Sequence, residues 1–147
     1  MTKNIDKLID QLPLIISDLM LTLANDAKAL IQQRVQEKGL NAQLNKTPDY
    51  SDQYKKRRQR KGLQVNHMDL TLSGEMWRST GIVNSVKTDK QIIVTIAGRD
   101  EETQNKINWN SEKQFEVLAL SKPEEDLLYN EIASEYLEER ILEILNE

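Results

Sequence analysis

The stretch HMDLTLSGEMWRSTGIV, residues 67–83, concentrates the residue types that could take part in catalysis. It contains the only His of the 147-residue chain, one of the two Trp and two of the five Gly. A Ser–His–acid arrangement would have to use His67, because no other His is available to take a proton from a nucleophile. Nothing around His67 resembles the turn that exposes a nucleophilic Ser. We therefore interpret His67 as an exposed or loop residue.

The composition argues against several other kinds of site. The chain has no Cys and a single His, whereas zinc sites are normally built from several such side chains. The segment GRDEETQNK, residues 98–106, lacks the glycines of a phosphate-binding loop. A divalent-metal nuclease could still be assembled from the many carboxylates, so a toxin-like or nuclease enzyme stays open as a third hypothesis. Our prediction is a protein that is not an enzyme and that uses no metal or cofactor.

Charge is distributed unevenly along the chain, although the net charge is only −4. The run KKRRQRK at 55–61 has six basic residues among seven, while residues 124–147 contain nine acids and one Arg. These are either two solvated segments or surfaces suited to head-to-tail contact between copies. The basic run could equally neutralise several phosphates of a nucleic acid. The predicted channel or partner contacts are Lys55, Lys56, Arg57, Arg58, Arg60 and Lys61.

Hydrophobic periodicity predicts a long amphipathic helix over residues 3–38, with apolar side chains at steps of three and four. Pro13 interrupts the pattern, so the helix either kinks there or has its main start there. Gly39 is expected to end the helix in a left-handed cap. Residues 40–66 are polar and turn-rich, which predicts a mobile basic loop in which part of the run could form a helical turn.

The second half of the chain alternates between strand and helix patterns. The β-rich runs IVNSVK and QIIVTIA predict a hairpin over residues 82–97. A short helix is expected from Asp100 and another strand over 113–120, followed by a final helix that starts at Ser121 with Glu124 in a capping box. The predicted fold is α+β: a small antiparallel β-sheet packed with a long N-terminal helix and a C-terminal helix, in a single domain of residues 1–147.

The opening stretch also has the features of a contact surface. Ser73 can cap a short helical turn, and Gly74 permits a tight backbone. Trp and Arg are enriched among the residues that dominate binding energy at interfaces. A second interpretation, which stays open, is that Trp77 fills the core of its own chain. The candidates for a subunit interface are Met76, Trp77, Arg78 and Trp109.

The order of these motifs resembles the tail-completion and virion-morphogenesis proteins of tailed bacteriophages. Members of that family have a long amphipathic N-terminal helix, a basic loop, a phrase of the form D-L-T-x-[ST]-G-x-[ML]-x-x-S and a hairpin. They end with a strand and a helix, to which FEVLALSKPEEDLL at 115–128 is similar. The residues that match the phrase are Asp69, Leu70, Thr71, Ser73, Gly74, Met76 and Ser79.

This resemblance implies a non-enzymatic structural protein of the head–tail junction, acting as a tail-completion, neck or connector subunit between the portal and the tail. It implies a homo-oligomeric ring of six or twelve copies with non-specific DNA contact at most, located in the virion after assembly in the host bacterial cytoplasm. We expect no membrane partner, because no apolar run reaches the length of a bilayer span and the N-terminus does not fit a signal peptide. The alternative is a small nucleic-acid-binding or regulatory module that uses residues 55–61.

Overall fold

In the computed structural model, which describes residues 2–147, helices surround one two-stranded antiparallel sheet. This confirms the predicted α+β class. There are also two π-helical turns: Arg34–Lys38 continues the long N-terminal helix, and Leu127–Ile132 lies between the last two helices. The elements are α1 (Thr2–Gln33), α2 (Asp52–Arg60), α3 (Glu75–Arg78), β1 (Thr80–Lys87), β2 (Ile92–Gly98), α4 (Glu101–Lys113), α5 (Lys122–Asp126) and α6 (Ala133–Leu145).

The two ends of the chain pack against each other through helix α1 and the C-terminal helices. Leu19, Leu23 and Ala27 are buried at four-residue steps on one face of α1, and they pack against Leu128. Residues at this spacing lie on the same side of a helix, so the apolar periodicity found in the sequence is the packing face. The helix runs through Pro13, so the predicted alternative of a main start at that residue is wrong.

Gly39 ends the first helical segment as predicted, and His67 packs against it. Gly39 has φ of +63° in the left-handed region, which most L-residues avoid. A β-carbon at this position would lie 2.4 Å from the ring of His67. The Nε2 atom of His67 is 2.8 Å from the carbonyl oxygen of Gln36. His67 is therefore a half-buried loop residue, and its contacts hold the start of the 67–83 stretch against the end of the first helical segment.

The predicted hairpin is confirmed and extends slightly beyond residues 82–97. Strands β1 and β2 pair antiparallel, with Ile82 opposite Ile96 and Val86 opposite Ile93, and a bulge interrupts the register after Ile82. One face of the hairpin packs on α1. Val86 and Ile93 remain exposed on the sheet, so part of the apolar surface of the hairpin has no cover within the described chain.

The strand predicted over residues 113–120 is wrong. Helix α4 continues to Lys113, and the residues between α4 and α5 are irregular. Phe115 and Val117 are nevertheless buried in the main core, so the apolar pattern reflects packing without strand pairing. A side chain supplies one of the hydrogen bonds that the backbone would make in a strand: the N–H of Val117 donates to Ser111 Oγ at 3.3 Å.

A buried ion pair joins the end of the long helical segment to the start of the C-terminal one. Arg34 Nε donates to Glu124 Oε1 at 2.8 Å, and both side chains are almost fully buried. Arg34 also donates to the carbonyl oxygens of Leu40 at 3.1 Å and Ala119 at 2.6 Å. The other oxygen of Glu124 accepts from the N–H of Ser121 at 2.7 Å, which is the predicted capping box. One carboxylate thus caps a helix and neutralises a buried guanidinium.

Within the segment 40–66, predicted as a loop, the basic run forms helix α2. Ser51 caps the helix by accepting a hydrogen bond from the N–H of Tyr54 at 3.3 Å. The helix has an inner side, because Arg58 is only 1% exposed. The assignment of the basic run as a loop is corrected to a helix with one buried side and one basic side.

Candidate docking cleft and basic face

The centre of the region is the buried carboxylate of Asp69, from the D-L-T phrase. Its Oδ1 accepts from the hydroxyl of Tyr50 at 2.8 Å and from the N–H of Thr71 at 2.8 Å. Its Oδ2 accepts from Arg58 at 2.9 Å and from Gln64 at 2.7 Å. A buried charge is tolerated when it is paired and fully hydrogen-bonded in this way. Asp69 therefore connects α2 to the 67–83 stretch.

Arg58 uses its whole guanidinium group inside the protein. It donates to the carboxylate of Asp69 and to the carbonyl oxygens of Gln64 and Thr71. Its charge also lies over the ring of Tyr50, 4.5 Å from the ring centroid. Burial raises the pKa of Tyr50 because the phenolate would lose its hydration, so the hydroxyl remains a donor to Asp69. Arg58 is a structural residue, and its prediction as a partner contact is wrong.

Met76 and Trp77 lie in the main core, where they pack with residues such as Ile31, Val35 and Val117. Trp77 is 1% exposed, and its indole N–H donates to the carbonyl oxygen of Asp69 at 3.1 Å. Neighbouring helical residues point about 100° apart, which is still within the width of an apolar helix face. The prediction of Trp77 as an interface residue is therefore wrong, and the alternative that Trp77 fills the core is confirmed. Met76 is also mostly buried, at 7% exposed, but it reaches the wall of the cleft described below.

Arg78 keeps an accessible position at the end of α3. Its side chain is exposed, and its Nη1 donates to the carbonyl oxygen of Ser73 at 3.1 Å. Gly74 has φ of +76° at the start of α3, and the hydroxyl of Ser73 accepts from the N–H of Glu75 at 3.4 Å. Gly74 is thus the N-cap of α3 and has the tight backbone that was predicted, whereas the prediction that Ser73 caps this turn is wrong, because the helix has no side-chain cap hydrogen bond.

The Asp69 cluster holds the 70–75 segment at the edge of an open cleft of about 690 Å³. One side of the cleft is this segment, another is the start of α2, and the third is α4 with the residue that follows it. This volume lies in the range of sites that bind small molecules. The apolar and aromatic lining includes Tyr54, Leu70, Leu72, Met76 and Trp109. We call this site the docking cleft.

Helix α4 presents Trp109 at the docking cleft. Asp100 caps the helix, with one carboxylate oxygen accepting from the N–H of Thr103 at 2.8 Å and the other from its hydroxyl at 2.9 Å. These hydrogen bonds lower the pKa of Asp100 because they favour the charged carboxylate. Ile107 is buried, and Trp109, about 200° further around the helix, is 56% exposed. Trp109 is the predicted interface residue with the largest accessible apolar surface.

A second feature, which we call the basic face, lies on the outer side of α2 and the residue that follows it. Lys56, Arg57, Arg60 and Lys61 are exposed, and Lys55 is half-buried. Within residues 2–147, no ion pair joins any of these five to a carboxylate. The surface depression beside Lys56, Arg57 and Arg60 shares Ser51 and Tyr54 with the docking cleft. Five of the six predicted contacts are therefore accessible, and three of them, Lys56, Arg57 and Arg60, line a depression that borders the cleft.

The hydrogen-bonded cluster that positions these surfaces was not predicted from the sequence, in particular the roles of Tyr50 and Gln64. A signal was present, because Asp69 stands between the apolar residues Met68 and Leu70 and follows a basic run. An acid in such a setting favours a buried ion pair. The chain sequence offered six basic candidates and no means of choosing Arg58 among them.

Comparison with known proteins gives no match, whether to a family model, to a curated protein or to a solved structure. Across residues 2–147, His and acidic side chains form no group of three that could hold a metal ion. In the same range, no helix has the length and apolar character needed to cross a membrane.

Proposed function

We propose that this protein is a non-enzymatic structural subunit of the head–tail junction of a tailed bacteriophage. It would act as a tail-completion, neck or connector protein that forms a ring of six or twelve copies between the portal or connector and the tail, and it would reside in the virion. The observation that carries the proposal is the placement of the D-L-T phrase. The polar groups of Asp69 and Thr71 form hydrogen bonds within the protein, in the Asp69 cluster. Residues 70–75 line the docking cleft, next to the exposed Trp109.

The hydrogen bonds of the phrase support a structural role for its polar side chains. His67 contacts a backbone carbonyl of the long helical segment. Thr71 Oγ1 accepts from Gln36 Nε2 at 2.7 Å and donates to the carbonyl oxygen of Asp69 at 3.2 Å. Asp69 itself accepts four hydrogen bonds. These are the groups from which an active site in this stretch would be built, and each of them stabilises the arrangement of the chain.

Exposed apolar side chains support assembly with other copies. Ile9 and Leu14 on α1 are 63% and 64% exposed, and the hairpin pair Val86 and Ile93 is 45% and 49% exposed. Single exposed apolar residues are common, but groups on a helix and on a neighbouring hairpin are typical of surfaces that bind another protein. The proposed ring would cover part of this surface.

The proposal is tested by the size and location of the protein. Light scattering and negative-stain microscopy of the purified protein are expected to show closed rings, and the protein is expected in purified virions. A stable monomer that is absent from virions and binds DNA tightly at moderate salt would contradict the proposal. A subunit of this kind can remain monomeric in solution until it binds its docking partner. The presence of the protein in virions is therefore measured alongside its size in solution.

Replacing Trp109 with alanine is expected to impair assembly without affecting folding. Trp109 is exposed, so the free energy of unfolding should change by no more than about 0.5 kcal/mol. A central aromatic residue at an interface contributes about 2 kcal/mol or more to binding, so ring formation or virion incorporation should fall. Thermal melting and light scattering measure the two effects. Tyr129→Ala is the control, because Tyr129 is 59% exposed on another helix; equal effects of both substitutions would contradict a role for the cleft.

The second candidate function is a small nucleic-acid-binding or regulatory module. The observation that favours it is the basic face, whose five basic side chains have no carboxylate partner within residues 2–147. Three of them, Lys56, Arg57 and Arg60, line a depression together with Tyr54. Each phosphate contact releases counterions, so such binding would weaken steeply as salt increases. A titration of the protein against single- and double-stranded DNA at several salt concentrations measures this dependence.

A further inference from the structure

We propose that the basic face of one copy binds the acidic side of the C-terminal helix in a second copy. This inference rests on the proposed ring-forming function and names the interface that would build the ring. It concerns Lys55, Lys56, Arg57, Arg60 and Lys61 on one side, and Glu131, Glu135, Glu138 and Glu139 on the other.

The four glutamates form one continuous surface, which we call the acidic stripe. Along the π-helical turn and α6, Glu135 lies four residues after Glu131, and Glu138 and Glu139 lie three and four residues after Glu135. These are the spacings at which side chains are neighbours on one side of a helix. All four are exposed. The acidic stripe is therefore a concentrated negative surface about 12 Å long, at 1.5 Å per residue.

Other acids in this part of the chain are already paired, which sets the acidic stripe apart. Glu124 is buried against Arg34, Asp126 lies 2.9 Å from Lys122, and Glu143 lies 2.8 Å from Arg140. No ion pair involves a glutamate of the acidic stripe within residues 2–147. The acidic stripe and the basic face are thus two unpaired surfaces of opposite charge on the same chain.

The two surfaces match in charge and in extent. Residues 55–61 span about 9 Å along their axis at helical rise, close to the length of the acidic stripe, and five positive charges face four negative ones. Complementary charge of this kind steers and orients association more than it adds affinity. The affinity would come from burying the exposed apolar side chains on α1 and the hairpin at the contact between copies. A nucleic acid on the basic face would leave the acidic stripe without a partner, whereas contact between copies accounts for both.

The contact joins different surfaces of two identical chains. Such a head-to-tail contact repeats from copy to copy, and it produces a ring when the rotation between copies closes. The acidic stripe and the basic face therefore supply, within one chain, both halves of the repeating interface that a ring needs.

The inference is tested by exchanging the charges. The variant Lys56→Glu/Arg57→Glu/Arg60→Glu and the variant Glu131→Lys/Glu135→Lys/Glu138→Lys are each expected to weaken self-association by roughly tenfold to a hundredfold, measured by sedimentation velocity at low salt. An equimolar mixture of the two is expected to recover association, because every interface in an alternating assembly then pairs opposite charges. The control Lys38→Glu/Lys90→Glu/Lys113→Glu makes the same change in net charge as the basic-face variant, at exposed positions elsewhere, and should associate like the wild type.

A cross-linking experiment captures the contact even when it is weak. The chain has no Cys, so Arg57→Cys in one preparation and Glu135→Cys in another give two singly reactive proteins. On mixing under mild oxidation, the mixed dimer is expected to form faster than a dimer of Lys113→Cys with Glu135→Cys. Thermal melting confirms that each variant is folded before it is compared.

The possible outcomes separate this inference from the proposed function. Rings that form regardless of both charge reversals overturn the inference and leave the ring subunit standing. Association that is unchanged while the basic-face variant loses binding to a single-stranded DNA probe overturns it in favour of a nucleic acid. Absence of both an oligomer and the mixed disulfide dimer, together with absence from virions, overturns the inference and the proposed function. Recovery in the mixture supports the interface.

Discussion

Replacing Asp69 with alanine is expected to lower the free energy of unfolding by about 3–5 kcal/mol, because it leaves a buried guanidinium without its partner. Arg58 is 1% exposed, and its Nη2 lies 2.9 Å from Asp69 Oδ2. The substitution also removes the acceptor for Tyr50, Gln64 and the N–H of Thr71. The loss is expected in urea or thermal unfolding followed by circular dichroism.

Two further variants separate the buried pair from surface electrostatics. Asp49→Ala removes an exposed carboxylate that lies 3.4 Å from Lys46, and it should change stability by less than about 1 kcal/mol. In a double-mutant cycle with Arg58→Ala, the two losses should be far from additive, because the second substitution removes the charge that the first leaves unpaired. If the Asp69→Ala protein had the same free energy of unfolding as the Asp49→Ala protein, the carboxylate of Asp69 would not be needed for the stability of the fold.

Replacing Trp77 with alanine is expected to destabilise the protein by about 3–5 kcal/mol, as is typical of a large aromatic residue removed from a core. Trp77 is 1% exposed and packs with Ile31, Val35 and Phe115. Trp77→Phe keeps much of the apolar volume and removes the indole donor to the carbonyl of Asp69. That carbonyl keeps its hydrogen bond from Thr71 Oγ1, so the loss of one hydrogen bond costs about 0.5–1.5 kcal/mol. The order of stability should be wild type, Trp77→Phe, then Trp77→Ala.

Fluorescence provides an independent measurement of the same position. The protein has two Trp, so Trp109→Phe leaves Trp77 as the only indole. Its emission is expected at short wavelength in the folded state and to shift to long wavelength in the same transition that circular dichroism detects. A Trp77→Ala protein that melts like the wild type but fails to assemble would place Trp77 at an interface, and this result would contradict the core assignment.

The elements that follow from local rules could be predicted from the sequence. Gly39 ends a helix because a left-handed residue is needed there, and Ser121 with Glu124 starts one because both satisfy free N–H groups within three residues. The hairpin is encoded in the same way, by β-rich runs on either side of a short turn. Each of these features depends on neighbours in the chain, so the sequence alone contains its physical cause.

The errors concern features that depend on distant residues. Phe115 and Val117 have the alternation of a strand, but the sheet found within residues 2–147 consists of β1 and β2, and these two residues fill the core as an irregular segment. The same limit applies to Arg58, which resembles its basic neighbours in sequence and differs from them only through Asp69. Trp77 was ambiguous for the same reason, since its burial depends on what the rest of the fold places around it.

The pairing of α1 with the C-terminal helices has a consequence for the nascent chain. Leu19, Leu23 and Ala27 are covered by Leu128, and Arg34 meets Glu124 across 90 positions. Contacts between residues this far apart in the sequence require a long loop to close first, so they form late in folding. During synthesis the apolar face of α1 therefore remains uncovered until the C-terminal helix leaves the ribosome, a period in which exposed apolar surface favours aggregation or chaperone binding.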